Sequence, residues 1–270
     1  IMSQNNQTDL PNIIELRNIS QSYDGSKSYV IRHLDLIIED KPAQGQFLVL
    51  LGMSGSGKST ILRYIAGLQQ PTEGEVFINE RVRTDKDQVG MVFQQYSSMP
   101  WLTVLENVAM GLKYKGVDTA TRNAKAMEMI ELVGLAGHEK KFADYPTLSG
   151  GQLQRVAIAR SLLTNPDILL MDEPFGALDI KTRMQMQEML AAIWQKFHST
   201  IIFVTHDISE AVFLGDEICI LKSPPSRIVD RISVDLPLQR TREIKRDQKY
   251  LNLVQLVEDK MLSVAEMKND

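Results

Sequence analysis

The chain has 270 residues, 43% of them hydrophobic, enough to bury a core as one large domain or as a domain with a subdomain. Its formal net charge of −4 gives no broad basic field and argues against nucleic acid as the main partner. No apolar run approaches the roughly 20 residues of a membrane helix, and the polar stretch Ile1 to Pro11 lacks a signal-peptide core, so a soluble protein is expected, with any membrane role coming through a partner.

From Ile13 to Glu39 two alternating runs, Ile14 to Ile19 and Val30 to Leu36, flank an Asp24-Gly25 turn signal and predict antiparallel strands. Tyr23 lies on that turn, where an aromatic ring can stack on a flat base. His33 alternates with apolar neighbours and reads as a solvent-facing strand residue. The run Phe47 to Leu51 predicts a buried strand. It leads into Gly52-Met53-Ser54-Gly55-Ser56-Gly57-Lys58-Ser59-Thr60, which fits the phosphate-loop pattern G-x-x-x-x-G-K-[ST] at every fixed position. Ser59 to Ile65 then reads as a helix that stops at Gly67. A strand, a glycine loop and a helix in that order turn several backbone N–H groups onto one anion and add the helix dipole. Lys58 is placed to reach the β- and γ-phosphates of a nucleotide, and the Ser59 hydroxyl to ligate Mg²⁺.

Pro71 to Gly74 reads as a turn, Glu75 to Ile78 as a short strand, and Val89 to Phe93 as another strand ending at Gln94-Gln95. Thr103 is a natural N-cap for a helix over 105–112, and residues 119–133 carry helical spacing at Ala126, Met129, Ile130 and Val133. With helices and no strand over 97–150, this segment reads as a helical subdomain inserted in an α/β core. Leu148-Ser149-Gly150-Gly151-Gln152 leads into a helix over 152–163. It offers a second set of backbone donors and a second dipole, or simply a Ser-Gly turn that caps a helix. Two anion sites with one nucleotide suggest a nucleotide shared between two chains.

Ile168 to Met171 is a short buried strand that delivers Asp172 and Glu173 at its end. Downstream of a phosphate loop, Asp172 is placed to hold Mg²⁺ through its water shell, and Glu173 to orient and deprotonate an attacking water. Met186, Leu190, Ile193 and Phe197 mark one face of a helix, on which Met184, Met189 and Trp194 read as packing. Ile201 to Val204 is a further buried strand. Cys219, within Ile218 to Leu221, reads as a small apolar strand residue; a lone cysteine cannot form an internal disulfide, which fits a reducing compartment. Beyond Pro224-Pro225, Arg227 to Val234 is strand-like and Arg240 to Asp270 charged and helix-prone. The basic run Arg240 to Lys249 reads as a solvated helix face.

Gly52 to Thr60, Gln94, Leu148 to Gln152, Ile168 to Glu173, Ala177-Leu178-Asp179 and His206 stand in the order, and near the spacing, of an ABC-transporter ATPase subunit, over residues 13–235. Within that family the chain resembles the ATPases of nitrate/sulfonate/taurine-type importers, through Met99 to Val108 and through Asp235-Leu236-Pro237-Leu238 ahead of a basic helix. The resemblance implies an α/β fold: a P-loop NTPase core of the ABC ATPase type, with an N-terminal antiparallel β subdomain and an inserted α-helical subdomain. It divides the chain into a disordered N-terminal tail (1–12), a first part of the ATP-binding core with the β subdomain (13–96), a helical signature subdomain (97–150), a second part of the core (151–235) and a helical C-terminal tail (236–270).

The resemblance also implies ATP and Mg²⁺, held in a head-to-tail dimer. Gly52, Ser54, Gly55, Ser56, Gly57, Lys58, Ser59 and Thr60 of one chain would face Ser149, Gly150, Gly151 and Gln152 of the other. Tyr23 resembles the aromatic that stacks on adenine, with Tyr29 as the fallback. Gln94, rather than Gln95, resembles the glutamine that touches Mg²⁺ and the water, His206 the switch histidine on the γ-phosphate, and Asp179 the dimer-contact aspartate. Catalysis would then rest on Glu173, His206, Gln94 and Lys58, and metal binding on Ser59, Gln94 and Asp172. The implied partners are a second copy, integral membrane permease subunits and, through them, a solute-binding protein, at the cytoplasmic face of the inner membrane. An exporter, a lipid-transport system or a non-transport ABC ATPase are the alternatives. Phe142 to Thr147 resembles importers, whereas Lys41 to Gln46 departs from the family's shorter turn and leaves the strand register there open.

Overall fold

The computed structural model describes residues 10–25, 28–41, 45–95 and 97–266; most of the expected N-terminal tail and the middle of Lys41 to Gln46 fall outside them. The chain opens with β1 (Asn12–Gln21) and β2 (Ile31–Glu39), then β3 (Phe47–Leu51), α1 (Lys58–Ala66), β4 (Glu73–Ile78), β5 (Arg81–Val82) and β6 (Val89–Val92). The helices α2 (Val104–Tyr114), α3 (Thr119–Leu132) and α4 (Gly150–Leu162) follow. Next come β7 (Ile168–Asp172), α5 (Ile180–Phe197), β8 (Thr200–Thr205), α6 (Ile208–Leu214), β9 (Glu217–Lys222) and β10 (Arg227–Ser233). A 3-10 turn, Arg242–Arg246, leads into α7 (Gln248–Glu266).

Two sheets form. The first, in the order β2-β1-β4-β5, is antiparallel throughout, as the alternating runs predict. The second, β10-β9-β3-β8-β7-β6, is parallel except for its edge strand β10. Parallel strands covered on both faces read as continuous apolar runs, and β3 shows why. Its odd residues Phe47, Val49 and Leu51 enter one core with α2, α4, α5 and α6, while Leu48 and Leu50 enter the other with α1, β1 and β2. Phe47 packs edge-on against Trp194 with ring centroids 5.5 Å apart, so Trp194 is packing as expected. Its indole N–H donates to Ser199 O at 3.0 Å.

Local signals hold where capping chemistry is complete. Thr103 and Glu106 form a reciprocal capping box on α2, and Ser149 with Gln152 forms another on α4, each offsetting orphan N–H groups at a helix start. Three readings need correction. β4 begins at Glu73 rather than Glu75, because Gly74, at φ 89, lies against the backbone of Arg17 and Asn18 and extends the pairing. His33 faces solvent on β2, as read, but does not simply alternate: at φ 48 it sits where the β1–β2 register shifts, its Nδ1 2.7 Å from Asn18 Oδ1. The basic run from Arg240 is solvated only in part: Arg242, Arg246 and Lys249 are exposed, but Arg240 and Lys245 are covered. Arg240 is buried at the C-terminus of α6, donating to Val212 O, Phe213 O and Gly215 O, and Lys245 lies 4.7 Å over the Phe213 ring. Burial holds both cations' pKa values below their ordinary ones.

Candidate functional site

The ends of β3, β7 and β8 lie side by side, and the chemistry gathers at their C-terminal edge, where ligands meet open α/β sheets. Between β3 and α1 the backbone curls through Gly55 and Gly57, at φ 81 and 77, both in the left-handed region that glycine tolerates. Gly57 is the N-cap of α1, and a Cβ there would meet Ser226 Oγ at 2.7 Å. Ser226 donates to Ser56 O at 2.6 Å and Ser223 to Gly55 O at 3.4 Å, so the turn between β9 and β10 braces the loop from 168 or more residues away. Sequence reading assigned these serines nothing, since no local signal marks so distant a contact.

Lys58 is buried. Its Nζ donates to Gly52 O and Met53 O, both at 2.8 Å, and to Ser56 Oγ at 3.4 Å, and it stands 4.0 Å from Glu173 Oε1. Burial pulls its pKa below the ordinary lysine value, against the opposing pull of Glu173 and Asp172. From the first turn of α1, Ser59 Oγ donates to Asp172 Oδ1 at the end of β7 at 2.8 Å. Burial raises the Asp172 carboxyl, and that hydrogen bond partly offsets the rise.

Glu173 leaves β7 at φ 42, a left-handed conformation that costs a non-glycine residue roughly 1–2 kcal/mol. Its N–H donates to Val204 O on β8, and the twist aims its carboxylate at His206, Oε2 to Nδ1 3.1 Å. A Cβ on Gly176 would lie 3.6 Å from Gln94 Nε2 and 3.7 Å from Glu173 Oε2, so Gln94 reaches the same corner. The structure therefore brings together Gly52 to Thr60, Gln94, Asp172, Glu173 and His206.

The remaining predicted residues stand elsewhere. Ser149 to Gln152 belong with Asp179: a Cβ on Gly151 would meet Thr182 Cγ2 at 2.5 Å, and Asp179 caps α5 by accepting from Thr182 N at 3.0 Å. Tyr23 is exposed on its turn, its hydroxyl accepting from Gln69 just past the C-terminus of α1, about 13 Å of helix from the phosphate loop. Tyr29 is half-buried and donates to Glu73 Oε1 at 3.2 Å.

The residues present fit a magnesium nucleotide. The loop offers left-handed glycines, open space at Gly55, a helix N-terminus and a buried ammonium, the donor set that a triphosphate requires. Ser59 and Asp172 supply one hydroxyl and one carboxylate. That suits Mg²⁺, which keeps its waters and shares phosphate oxygens, and among the described residues no cluster of three or more His, Cys, Asp or Glu could hold a metal.

A parallel sheet, a phosphate loop, an acidic strand end and a histidine after the neighbouring strand define a phosphate-loop NTPase. Residues 38–176 match the ABC transporter family. The chain is 40% identical over 259 residues to the taurine import ATP-binding protein TauB of Pseudomonas aeruginosa, covering 93% of this chain and 96% of that protein. It is 42% identical over 247 residues to the nitrate import ATP-binding protein NrtD of Synechocystis, covering 88% and 90%. The dimeric cassette MJ0796, from a bacterial ABC transporter, superposes with a TM-score of 0.71 at 35% identity, covering 83% of this chain and all of that one. The chain belongs to the ABC transporter family. It is an ATPase cassette of that family, with ATP and Mg²⁺ as its requirements.

Proposed function

We propose that this cassette works as a head-to-tail pair that hydrolyses ATP to drive solute uptake through a membrane permease. The observation that carries the reading is the convergence of Lys58, Ser59, Asp172, Glu173, His206 and Gln94 at one sheet edge. Glu173 accepts a proton from water as the water oxygen attacks the γ-phosphorus; the bond to the β–γ bridging oxygen breaks, and ADP and phosphate leave. Lys58 faces the β- and γ-phosphates, exchanging its loop carbonyls for phosphate oxygens. Ser59, Asp172 and Gln94 would hold magnesium, which would neutralise phosphate charge when bound. His206 touches the γ-phosphate, and Tyr23 stacks on adenine.

Ser149, Gly150, Gly151 and Gln152 of the second copy close on the nucleotide with Asp179 at the seam. Because these residues stand apart from the phosphate loop within one chain, the site is complete only when two chains meet. A dimer of this kind switches between open and closed states, since the nucleotide touches both halves only in the closed one.

Among the described residues no helix is long and apolar enough to cross a membrane. Contact with a permease falls instead to a groove of about 550 Å³ lined by Met99, Trp101, Leu105, Met110, Tyr114 and Arg122. Trp101 and Tyr114 are 69% and 81% exposed there, an apolar surface suited to a short helix from a permease loop. Arg160 on α4 donates to Ser97 O at 2.8 Å and Gln154 to Phe93 O at 3.4 Å, tying both flanks of Gln94 to the signature helix and so linking groove to site. The relatives named for taurine and nitrate import support uptake of a small anionic or sulfonate solute at the cytoplasmic face of the membrane.

The test is affinity purification of the tagged chain from native membranes in mild detergent. A multi-helix permease should accompany the native chain and be lost from Trp101→Glu, whose isolated ATPase activity should persist. Ribosomal or repair proteins in place of a permease would refute the transport reading.

A further inference from the structure

The helix that follows His206 is held along its whole length by the C-terminal segment. At its start, Tyr250 of α7 donates to Ser209 O at 2.9 Å, with the Ser209 hydroxyl 2.8 Å from the same phenol oxygen. Along its flank, Lys245 lies over Phe213. At its end, Arg240 donates to Val212 O, Phe213 O and Gly215 O, with Asp216 3.6 Å away. Arg240 and Lys245 belong to a run that a reading of charge alone would place in solvent.

A buried relay runs from the same segment to the residue before His206. Lys245 Nζ donates to Gln187 Oε1 at 2.9 Å, and Gln187 Nε2 donates to Glu210 Oε1 at 3.0 Å. Thr205 Oγ1 donates to Glu210 Oε2 at 2.6 Å and accepts from Asp207 N at 3.0 Å. Asp207 Oδ1 in turn accepts from Glu210 N at 3.0 Å. Both neighbours of His206 in the chain are therefore fixed by Glu210, which is buried, and Glu210 is oriented through Gln187 by Lys245. His206 itself is exposed, and among the described residues its side chain is tied to Glu173 alone. Its placement relies on its neighbours.

We propose that Lys245 and Tyr250, acting through Gln187, Glu210 and α6, are positioning residues for His206, so that the C-terminal segment sets the turnover of the ATPase site without touching nucleotide. Coupling through a contiguous hydrogen-bonded network is real only if both ends respond together, and such residues shift coupling by about twofold to thirtyfold. The inference rests on the reading of His206 as the group that meets the γ-phosphate, and the test separates the two.

The full chain carries four histidines, so a sample labelled with ¹³C at the imidazole Cε1 gives few signals, and His206→Ala assigns the one that matters. Lys245→Met keeps the apolar stem and removes the donor; Tyr250→Phe removes the hydroxyl alone; Lys245→Arg restores a donor and the charge. For Lys245→Met and Tyr250→Phe the expected result is a kcat lower by about threefold to tenfold, an unchanged KM for ATP and a displaced or broadened His206 resonance, in chains that still melt cooperatively. Lys245→Arg should recover most of both. An unmoved His206 resonance in both variants overturns the proposal, as does a raised KM with kcat unchanged. If His206→Ala itself turns over ATP at the native rate, the assigned role of His206 fails, while the resonance still decides whether the segment positions it.

Discussion

Glu173 and His206 leave adjacent strands 33 residues apart in the chain, yet Oε2 and Nδ1 meet at 3.1 Å. The contact exists because Glu173 takes a left-handed backbone at the end of β7 while its N–H stays bonded to β8. An extended residue there would aim its side chain elsewhere. The carboxylate is thereby fixed within 4.0 Å of Lys58 as well, on the side where a phosphate chain would lie.

Glu173→Gln keeps the size and the contact with His206 but removes the proton acceptor. Phosphate release should fall by about 10²- to 10⁴-fold, the usual scale of a general-base effect, with ATP binding intact. Native turnover in this variant would remove Glu173 from the chemistry.

Lys58→Ala should weaken ATP binding by about 10- to 100-fold, the scale of one strong charge-assisted hydrogen bond. Fluorescent-nucleotide titration measures it. The native fold should persist, because the carbonyls of Gly52 and Met53 that Lys58 now satisfies lie next to an accessible loop that water can reach. An unchanged affinity would contradict the phosphate assignment.

Gly151→Ala would place its Cβ 2.5 Å from Thr182 Cγ2, a short side chain with little freedom to move. Overpacking of this kind costs about 1–3 kcal/mol, and the melting temperature should drop accordingly. Adding Thr182→Ser removes the methyl that is struck and keeps a hydroxyl, so the double variant should regain most of the loss. Equal melting of the single and double variants would show the contact to be unimportant.

Asp118 caps α3 by accepting from Thr121 N at 3.0 Å, and its hydrogen bonds with Thr121 hold its carboxyl below the ordinary carboxylate value. The sign follows from proton linkage: the stabilisation is present above the unfolded value and is lost as pH falls through the lowered folded one. Asp118→Asn should therefore melt lower than the native chain at pH 7, and the gap should narrow on acidification toward pH 3. A gap independent of pH would mean that the charge contributes nothing.

What could be read from the chain alone was whatever lies close in sequence. The phosphate loop announces itself through nine consecutive residues, and the caps at Thr103 and Ser149 through residues three apart. Asp172 and Glu173 needed only their strand. What was misread or missed depended on partners far away. Arg240 and Lys245 resemble any basic surface run until α6 arrives to cover them, and Ser226 looks like an ordinary turn serine until it meets the loop at Ser56. Glu210 shows a subtler limit. Asp207 and Glu210 have the spacing of a capping box, but only Asp207 caps; the Glu210 carboxylate turns away to Thr205 and Gln187, which no pattern of spacing foretells.

Cys219 sits fully buried on β9, the single thiol of the chain, with its pKa pushed up by burial to about 12. A thiol of that kind is protonated and shielded at neutral pH, so it should resist maleimides and spin-label reagents. The native chain is thus already a blank background for site-directed labelling. One cysteine placed near Ser149 or on the exposed rim of the phosphate loop becomes the sole attachment point, and the opening and closing of the two-chain assembly can be followed as an interprobe distance without altering the core.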